Sequence, residues 1–254
     1  MSSLLKPFTL ALATLALIVA CDAPNTESTS AMDDSPDEPD MSLPEEDWAN
    51  LARFAEDNAR VAALQKAGHT PRIVLMGNSI TEGWPRTDTT FASRNLNYIN
   101  RGISGQTTEQ MLVRYRPDVL ALDPDVVVLH AGVNDFAFNT GHTTPDETFG
   151  NLLSMVQLAR VNNIKVVLAS LPETTSFHWR PGVGNPKPGI HDMNTRLKKL
   201  AQDLGIPFAD YHAALSDGNR DVRPEYAADL VHPTLAGYQV MEKVLHASLR
   251  EALE

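Results

Sequence analysis

Two short apolar runs that each stop on a glycine constrain this chain most. Ile73-Val74-Leu75-Met76 ends at Gly77, and Val126-Val127-Val128-Leu129-His130-Ala131 runs into Gly132. A strand apolar at nearly every position, not at every second one, is buried on both faces, and such strands belong to parallel sheets covered by helices. Helical patterns fall at about 48–67, 107–122, 145–162, 190–204 and 233–253, and they separate these runs from further strand candidates at 97–100, 165–170 and 206–209. Thr144-Pro145-Asp146-Glu147 reads as a capping box with proline at the first helical position, and Thr107-x-x-Gln110 as a second. Five strands linked by helices predict an α/β fold: a three-layer α/β/α domain with a five-stranded parallel sheet of flavodoxin-like order. The 207 residues of 48–254 suffice for one such domain.

Catalytic groups of open α/β sheets gather where strands end, and both glycine stops carry polar residues there. Gly77-Asn78-Ser79-Ile80 follows the first run and Gly132-Val133-Asn134-Asp135 the second. Between them, Asn100-Arg101-Gly102-Ile103-Ser104-Gly105-Gln106-Thr107 is a glycine-rich turn that can aim backbone N–H groups into a cleft. Near the C-terminus comes Asp229-Leu230-Val231-His232-Pro233. An Asp three residues before a His can fix the imidazole tautomer and leave the other ring nitrogen free to take a proton from a serine hydroxyl, for which Ser79 is the candidate. Taken singly, each block also fits a structural role: a serine helix cap, an Asx turn at Asn134, turn glycines, or a helix-entry His. Their joint occurrence, in order and at strand ends, favours catalysis.

The four blocks resemble, in order and approximate spacing, those of the SGNH hydrolases, also called the GDSL esterases and lipases, and the resemblance runs from about residue 72 to the C-terminus. It implies the flavodoxin-like fold, Ser79 as nucleophile, Asp229 and His232 as the rest of a triad, and Ser79, Gly105 and Asn134 as oxyanion-hole donors. It implies a serine esterase that needs no cofactor and no metal. One departure is visible: Asn78 stands where the family name has Asp.

The stretch 172–184, with Phe177, His178, Trp179 and Arg180, is expected as a loop over the catalytic edge. His178, Trp179 and Arg180 are candidate substrate contacts, although a loop anchored by buried aromatics would read the same way. The surroundings of Trp179 resemble GDSL proteins linked to carbohydrate deacetylation, so short acyl or acetyl esters on neutral glycans are the expected substrates. A lysophospholipase or thioesterase is the alternative within the family, and a tethered glycan-binding module the alternative outside catalysis. His130, His142, His191 and His212 lack a spacing suited to a metal.

The N-terminus concerns location. Lys6 precedes an apolar stretch too short to span a bilayer, ending Ile18-Val19-Ala20-Cys21, which resembles a bacterial lipoprotein signal (1–20) with Cys21 as the lipidated residue. Cys21 is the only cysteine, so no disulfide can form within the chain. Residues 22–47 hold ten Asp or Glu and no Lys or Arg, with four prolines, and read with Cys21 as an acidic, disordered tether (21–47). The formal charge of −11 belongs mainly to it, since 48–254 carries 20 basic and 22 acidic residues. No basic patch suggests nucleic acid. The expected location is the bacterial cell envelope, with the membrane reached only through the lipid. Cys21→Ser should then release the protein from the membrane fraction with esterase activity unchanged, and fractionation that leaves the variant membrane-bound would replace lipid anchoring with another mode of retention.

Overall fold

The computed structural model describes residues 47–64, 70–94, 97–217, 219, 222–227 and 229–254, all within one of the chain's two units, Pro44–Glu254. The signal, Cys21 and the tether up to residue 46 lie outside the described residues. A 3-10 turn, Leu51–Phe54, leads into α1 (Ala55–Ala63). There follow β1 (Ile73–Gly77), α2 (Ser79–Thr87), α3 (Phe91–Arg94), β2 (Tyr98–Gly102), α4 (Thr108–Asp118), β3 (Val126–His130) and α5 (Val133–Phe136). The chain continues through α6 (Pro145–Val161), β4 (Lys165–Ala169), α7 (Lys187–Leu204), β5 (Phe208–Ala209), α8 (Tyr211–Leu215) and α9 (Leu235–Leu253).

The five strands form one parallel sheet in the order β2-β1-β3-β4-β5, the flavodoxin-like order expected from the alternation. Every residue of β1 and β3 is buried, because helices cover both faces: α1, α4, α6 and α7 pack in succession on one, and α2, α8 and α9 on the other. Both capping boxes form. Thr144 N–H donates to Glu147 Oε2 at 2.7 Å while Glu147 N–H donates to Thr144 Oγ1 at 3.2 Å, and Thr107 N–H donates to Gln110 Oε1 at 3.2 Å.

Three expectations need correction. Among the described residues, the helix read at 48–67 is regular over Ala55–Ala63 only, because its first turn is 3-10 and starts where the Asp47 carboxylate accepts from Ala52 N–H at 2.8 Å. The strand read at 206–209 shrinks to Phe208–Ala209, since Pro207 has no N–H to add to the ladder. Helix α2, which begins at Ser79, is absent from the sequence reading because Gly83 and Pro85 depress its propensity. Among the described residues, no helix is long and apolar enough to cross a membrane.

A buried polar network underlies the catalytic edge. Arg114 of α4 is fully buried and donates to Gly77 O at 3.2 Å, Arg101 O at 2.9 Å, Gln106 Oε1 at 2.5 Å and Asp118 Oδ2 at 2.8 Å. Asp118 also accepts from Asn58 Nδ2 at 2.6 Å, Asn58 accepts from Arg101 Nε at 2.9 Å, and Gln106 Nε2 donates to Ala49 O at 2.8 Å. Removing one partner of a buried pair leaves the other charge uncompensated, at a cost of about 3–5 kcal/mol. Arg114→Ala is accordingly expected to lower stability by about that amount in urea denaturation, and Arg114→Lys, whose single ammonium cannot meet four acceptors in a plane, by a substantial part of it. Unchanged midpoints in both variants would show that the network carries no stability.

Candidate active site

Strand register brings the site together. Gly77 pairs with both Gly102 and His130, so β1, β2 and β3 end level and the turns that follow them leave the sheet at one height. β1 and β3 flank the point where strand order reverses, the place where open α/β sheets bind ligands. A Cβ on Gly77 would lie 2.1 Å from Thr81 Oγ1 and 2.8 Å from His130 O, so only glycine lets α2 start this close to the strand end. Asn78 caps α2, its Oδ1 accepting from Ile80 N–H at 3.1 Å. Asn and Asp are equally good in that role, which accounts physically for the amide at this position. Ser79 is then the first residue of α2, with its N–H among the helix's unpaired amides and at the positive end of its dipole.

Ser79 Oγ lies 2.9 Å from His232 Nε2, and His232 Nδ1 lies 2.6 Å from Asp229 Oδ2. Leu230 adopts a left-handed conformation (φ 69°), and the loop folds so that Asp229 Oδ1 also accepts from Val231 N–H at 3.0 Å and His232 N–H at 2.7 Å. Partial burial opposes ionisation of Asp229, but the hydrogen bonds from the His232 ring and from these two amides outweigh it and hold the carboxyl well below the usual carboxylate range. With the proton on Nδ1 and directed at Asp229, Nε2 presents its lone pair to the Ser79 hydroxyl. Helix α9, which follows the His232 loop, is tied to α2 by the Tyr238 hydroxyl, which donates to Ile80 O at 2.7 Å.

The segment 103–106 is a turn closed by Gln106 N–H on Ile103 O at 3.4 Å, with Gly105 at φ 79°. Positive φ at the third position is the demand that glycine satisfies in a type II turn. Four side chains hold the turn. Glu82 of α2 accepts from the Ser104 N–H at 2.9 Å and from its hydroxyl, and Asn139 Nδ2 donates to Gly105 O at 2.9 Å. Arg114 binds the Gln106 side chain, and Asn134 Nδ2 donates to Gln106 O at 2.9 Å. The Asn134 amide keeps a second hydrogen for another acceptor. The fold thus brings Ser79, Gly105 and Asn134 to one edge beside His232 and Asp229.

Beside Asn134, Asp135 is buried and accepts from the Thr108 N–H at 3.1 Å and the Thr108 hydroxyl at 2.5 Å. Burial raises its pKa to about 6, against the lowering effect of these hydrogen bonds.

The loop after β4 lies over this edge. Phe177 is buried and packs on Trp179 with ring centres 5.0 Å apart; Trp179 stands 5.7 Å from the His232 ring. His178 is exposed, with Nδ1 3.6 Å from Asp229 Oδ2. That places it against the same carboxylate oxygen as His232. Trp179 and Arg180 line a cleft of about 520 Å³ with Trp48, Gly105, Gln110 and Asn139. The cleft holds none of Ser79, His232 and Asp229 and adjoins them through Trp179. Among the described residues, no group of three or more His, Cys, Asp or Glu is arranged to hold a metal ion. His212 is buried with Nδ1 accepting from Glu173 N–H at 3.2 Å, and His191 pairs with Glu173 at 2.9 Å.

Glu82, Asn139 and Gln106 were not legible as site residues. Glu82 sits in an unread helix, and Asn139 follows Phe138, whose left-handed backbone (φ 53°) no local pattern announces.

Comparison with known proteins fits this geometry. Residues 75–240 match the model of the GDSL-like lipase/acylhydrolase family. The chain belongs to that family and is a carboxylic ester hydrolase with the SGNH hydrolase fold. It is 43% identical to a GDSL-like lipase of known structure from Bacteroides thetaiotaomicron, over 80% of this chain and 98% of that one, with a TM-score of 0.75. An acetylxylan esterase from Geobacillus stearothermophilus is 25% identical over 73% of this chain and 95% of its own. An uncharacterized lipoprotein of Bacillus subtilis, YqeF, is 30% identical over 58% of this chain and 74% of its own.

Asp135 offers a pH test of this site. Its folded pKa near 6 exceeds the unfolded value of about 3.9, so its contribution is fully present below that unfolded value and is lost as pH rises through 6. The loss amounts to about 3 kcal/mol, at roughly 1.4 kcal/mol for each pKa unit. Relative to wild type, Asp135→Asn should gain stability by about that amount between pH 4 and pH 8 in urea titrations. Parallel profiles would show that Asp135 does not titrate in this range.

Proposed function

We propose that this esterase cleaves short acyl esters, chiefly acetyl, of carbohydrate hydroxyls through Ser79, His232 and Asp229. The carrying observation is the line of contacts from Ser79 Oγ through the His232 ring to Asp229, at 2.9 and 2.6 Å. Ser79 Oγ forms a bond to the ester carbonyl carbon as its proton passes to His232 Nε2, and Asp229 stabilises the imidazolium. The carbonyl oxygen becomes an anion that receives hydrogen bonds from the Ser79 and Gly105 N–H groups and the second Asn134 amide hydrogen. The tetrahedral species collapses, the C–O bond to the alcohol breaks, and His232 gives the departing oxygen its proton. Water then adds to the acyl enzyme with His232 as base, and the acid leaves with Ser79 restored.

The alcohol must take its proton from His232, so it lies on the Trp179 side, next to the cleft of Trp179, Arg180, Gln110 and Asn139. A flat indole amid hydrogen-bonding side chains suits a sugar ring better than an alkyl chain. The acetylxylan esterase relative supports the same substrate class. Anchoring to the cell envelope through Cys21 is part of this reading, supported by the lipobox-like pattern and the Bacillus subtilis lipoprotein relative.

Purified protein should hydrolyse p-nitrophenyl acetate with higher kcat/KM than the octanoate and release acetate from acetylated xylan or acetylated sugars. A fluorophosphonate probe should label Ser79. Ser79→Ala and His232→Ala should lower kcat by about 10⁴–10⁶-fold, and Asn134→Ala by about 10²–10³-fold. Preference for a lysophospholipid or acyl thioester would overturn the carbohydrate assignment, and labelling at another serine would overturn the nucleophile.

A further inference from the structure

One residue outside the proposed triad bonds three segments of the site, at Asn134, Gly105 and Trp179. Asn139 follows α5 where Phe138 reverses the chain, and its backbone N–H donates to Asn134 O at 3.1 Å. Its side-chain amide donates to Gly105 O at 2.9 Å, and its side-chain oxygen accepts from Trp179 Nε1–H at 3.1 Å. Both ends of one amide are therefore used, by two segments 74 residues apart in sequence, Gly105 and Trp179. The peptide between Gly105 and Gln106 is held at its oxygen by Asn139 and at its nitrogen by Ile103 O. That peptide fixes the turn from which the Gly105 N–H is presented.

We propose that Asn139 is a positioning residue that locks the Gly105 turn of the oxyanion hole to the Trp179 wall of the alcohol cleft, so that the two act as one unit. The inference rests on the esterase reading above. Substrate binding against Trp179 presses on the same amide that orders the oxyanion donor, so alcohol recognition contributes to kcat as well as to KM. Three donors of one oxyanion hole need fixed directions, and a donor misaimed by a loosened turn loses most of its effect on the transition state.

Three substitutions separate the parts. Asn139→Asp keeps the acceptor for Trp179 but loses the donor to Gly105 O and sets a carboxylate oxygen against that carbonyl. Asn139→Ala loses both contacts. Trp179→Phe keeps a ring and loses the indole N–H. With acetylated sugar as substrate, Asn139→Asp and Asn139→Ala should each lower kcat about 10- to 100-fold with KM changed less than about threefold. Trp179→Phe should lower kcat several-fold in the wild-type background and have no further effect on kcat in the Asn139→Ala background, since the link is already cut. Wild-type kcat in Asn139→Asp would overturn the proposal, as would a loss confined to KM or independent multiplication of the Trp179→Phe and Asn139→Ala effects. A wild-type enzyme that neither turns over ester nor labels at Ser79 would overturn the esterase reading itself, whereas an active, labelled enzyme with unaffected Asn139 variants overturns this inference alone.

Discussion

Arg114 holds the catalytic edge in place. Its guanidinium, with no exposed surface, bonds the last carbonyl of β1 at Gly77, the carbonyl of Arg101 in β2, the side chain of Gln106 beside Gly105, and the Asp118 carboxylate of its own helix. A buried cation with only one anionic partner is expensive, and four hydrogen bonds from the guanidinium offset that cost. Those bonds fix how far β1, β2 and the 103–106 turn stand from one another. Apolar packing of the same volume would leave those three carbonyl and amide directions unspecified, and two of the proposed oxyanion donors, Ser79 and Gly105, follow from them. The N-terminal segment joins the same network, because Gln106 Nε2 donates to Ala49 O and Gln110 Nε2 to Trp48 O.

Much of this was legible in the sequence, and the reasons are specific. The sheet could be read because β1 and β3 are apolar at nearly every position and a glycine stands at or just after their ends, a pattern expected of buried parallel strands. α6 was readable from its capping box and proline, within one residue at its C-terminal end. Ser79, Gly105, Asn134, Asp229 and His232 were legible as candidates because each stands beside a turn-forming residue at a strand or loop end, where local rules operate. α2, α5 and α8 were not. α2 contains Gly83 and Pro85 and depends on Asn78 and on a hydroxyl from Tyr238, 158 residues away, while α5 and α8 are too short to show a period. Residues that position the site, Glu82, Gln106, Arg114 and Asn139, act through long-range hydrogen bonds and leave no periodic or local mark.

The site also sets polar groups of opposite character side by side. Asp229 and Asp135 are both carboxylates within a few residues of a proposed catalytic side chain, yet one is driven below the usual range and the other up to about 6. Number of hydrogen bonds does not separate them, since each has several. Burial does: the Asp229 side chain is 32% exposed and faces an imidazole that can carry charge, whereas Asp135 is closed in by Thr108 and Thr148 with no cation beside it. The first arrangement favours a permanent anion able to stabilise an imidazolium. The second gives a group whose charge is costly and whose value lies in fixing the start of α4 against Asn134.

A similar contrast separates the packed interior from the open cleft near this edge. The void of about 10 Å³ lined by Ile80, Val231 and Pro233 with His130, Tyr211 and His212 belongs to the close-packed interior, where even small changes of volume are felt. Around Trp179 the walls carry hydrogen-bonding side chains and the cleft is open to solvent, about 520 Å³ in volume. In the proposed reading, selectivity for the alcohol falls to the loop that carries Trp179, which is tied to the Gly105 turn through the indole N–H on Asn139.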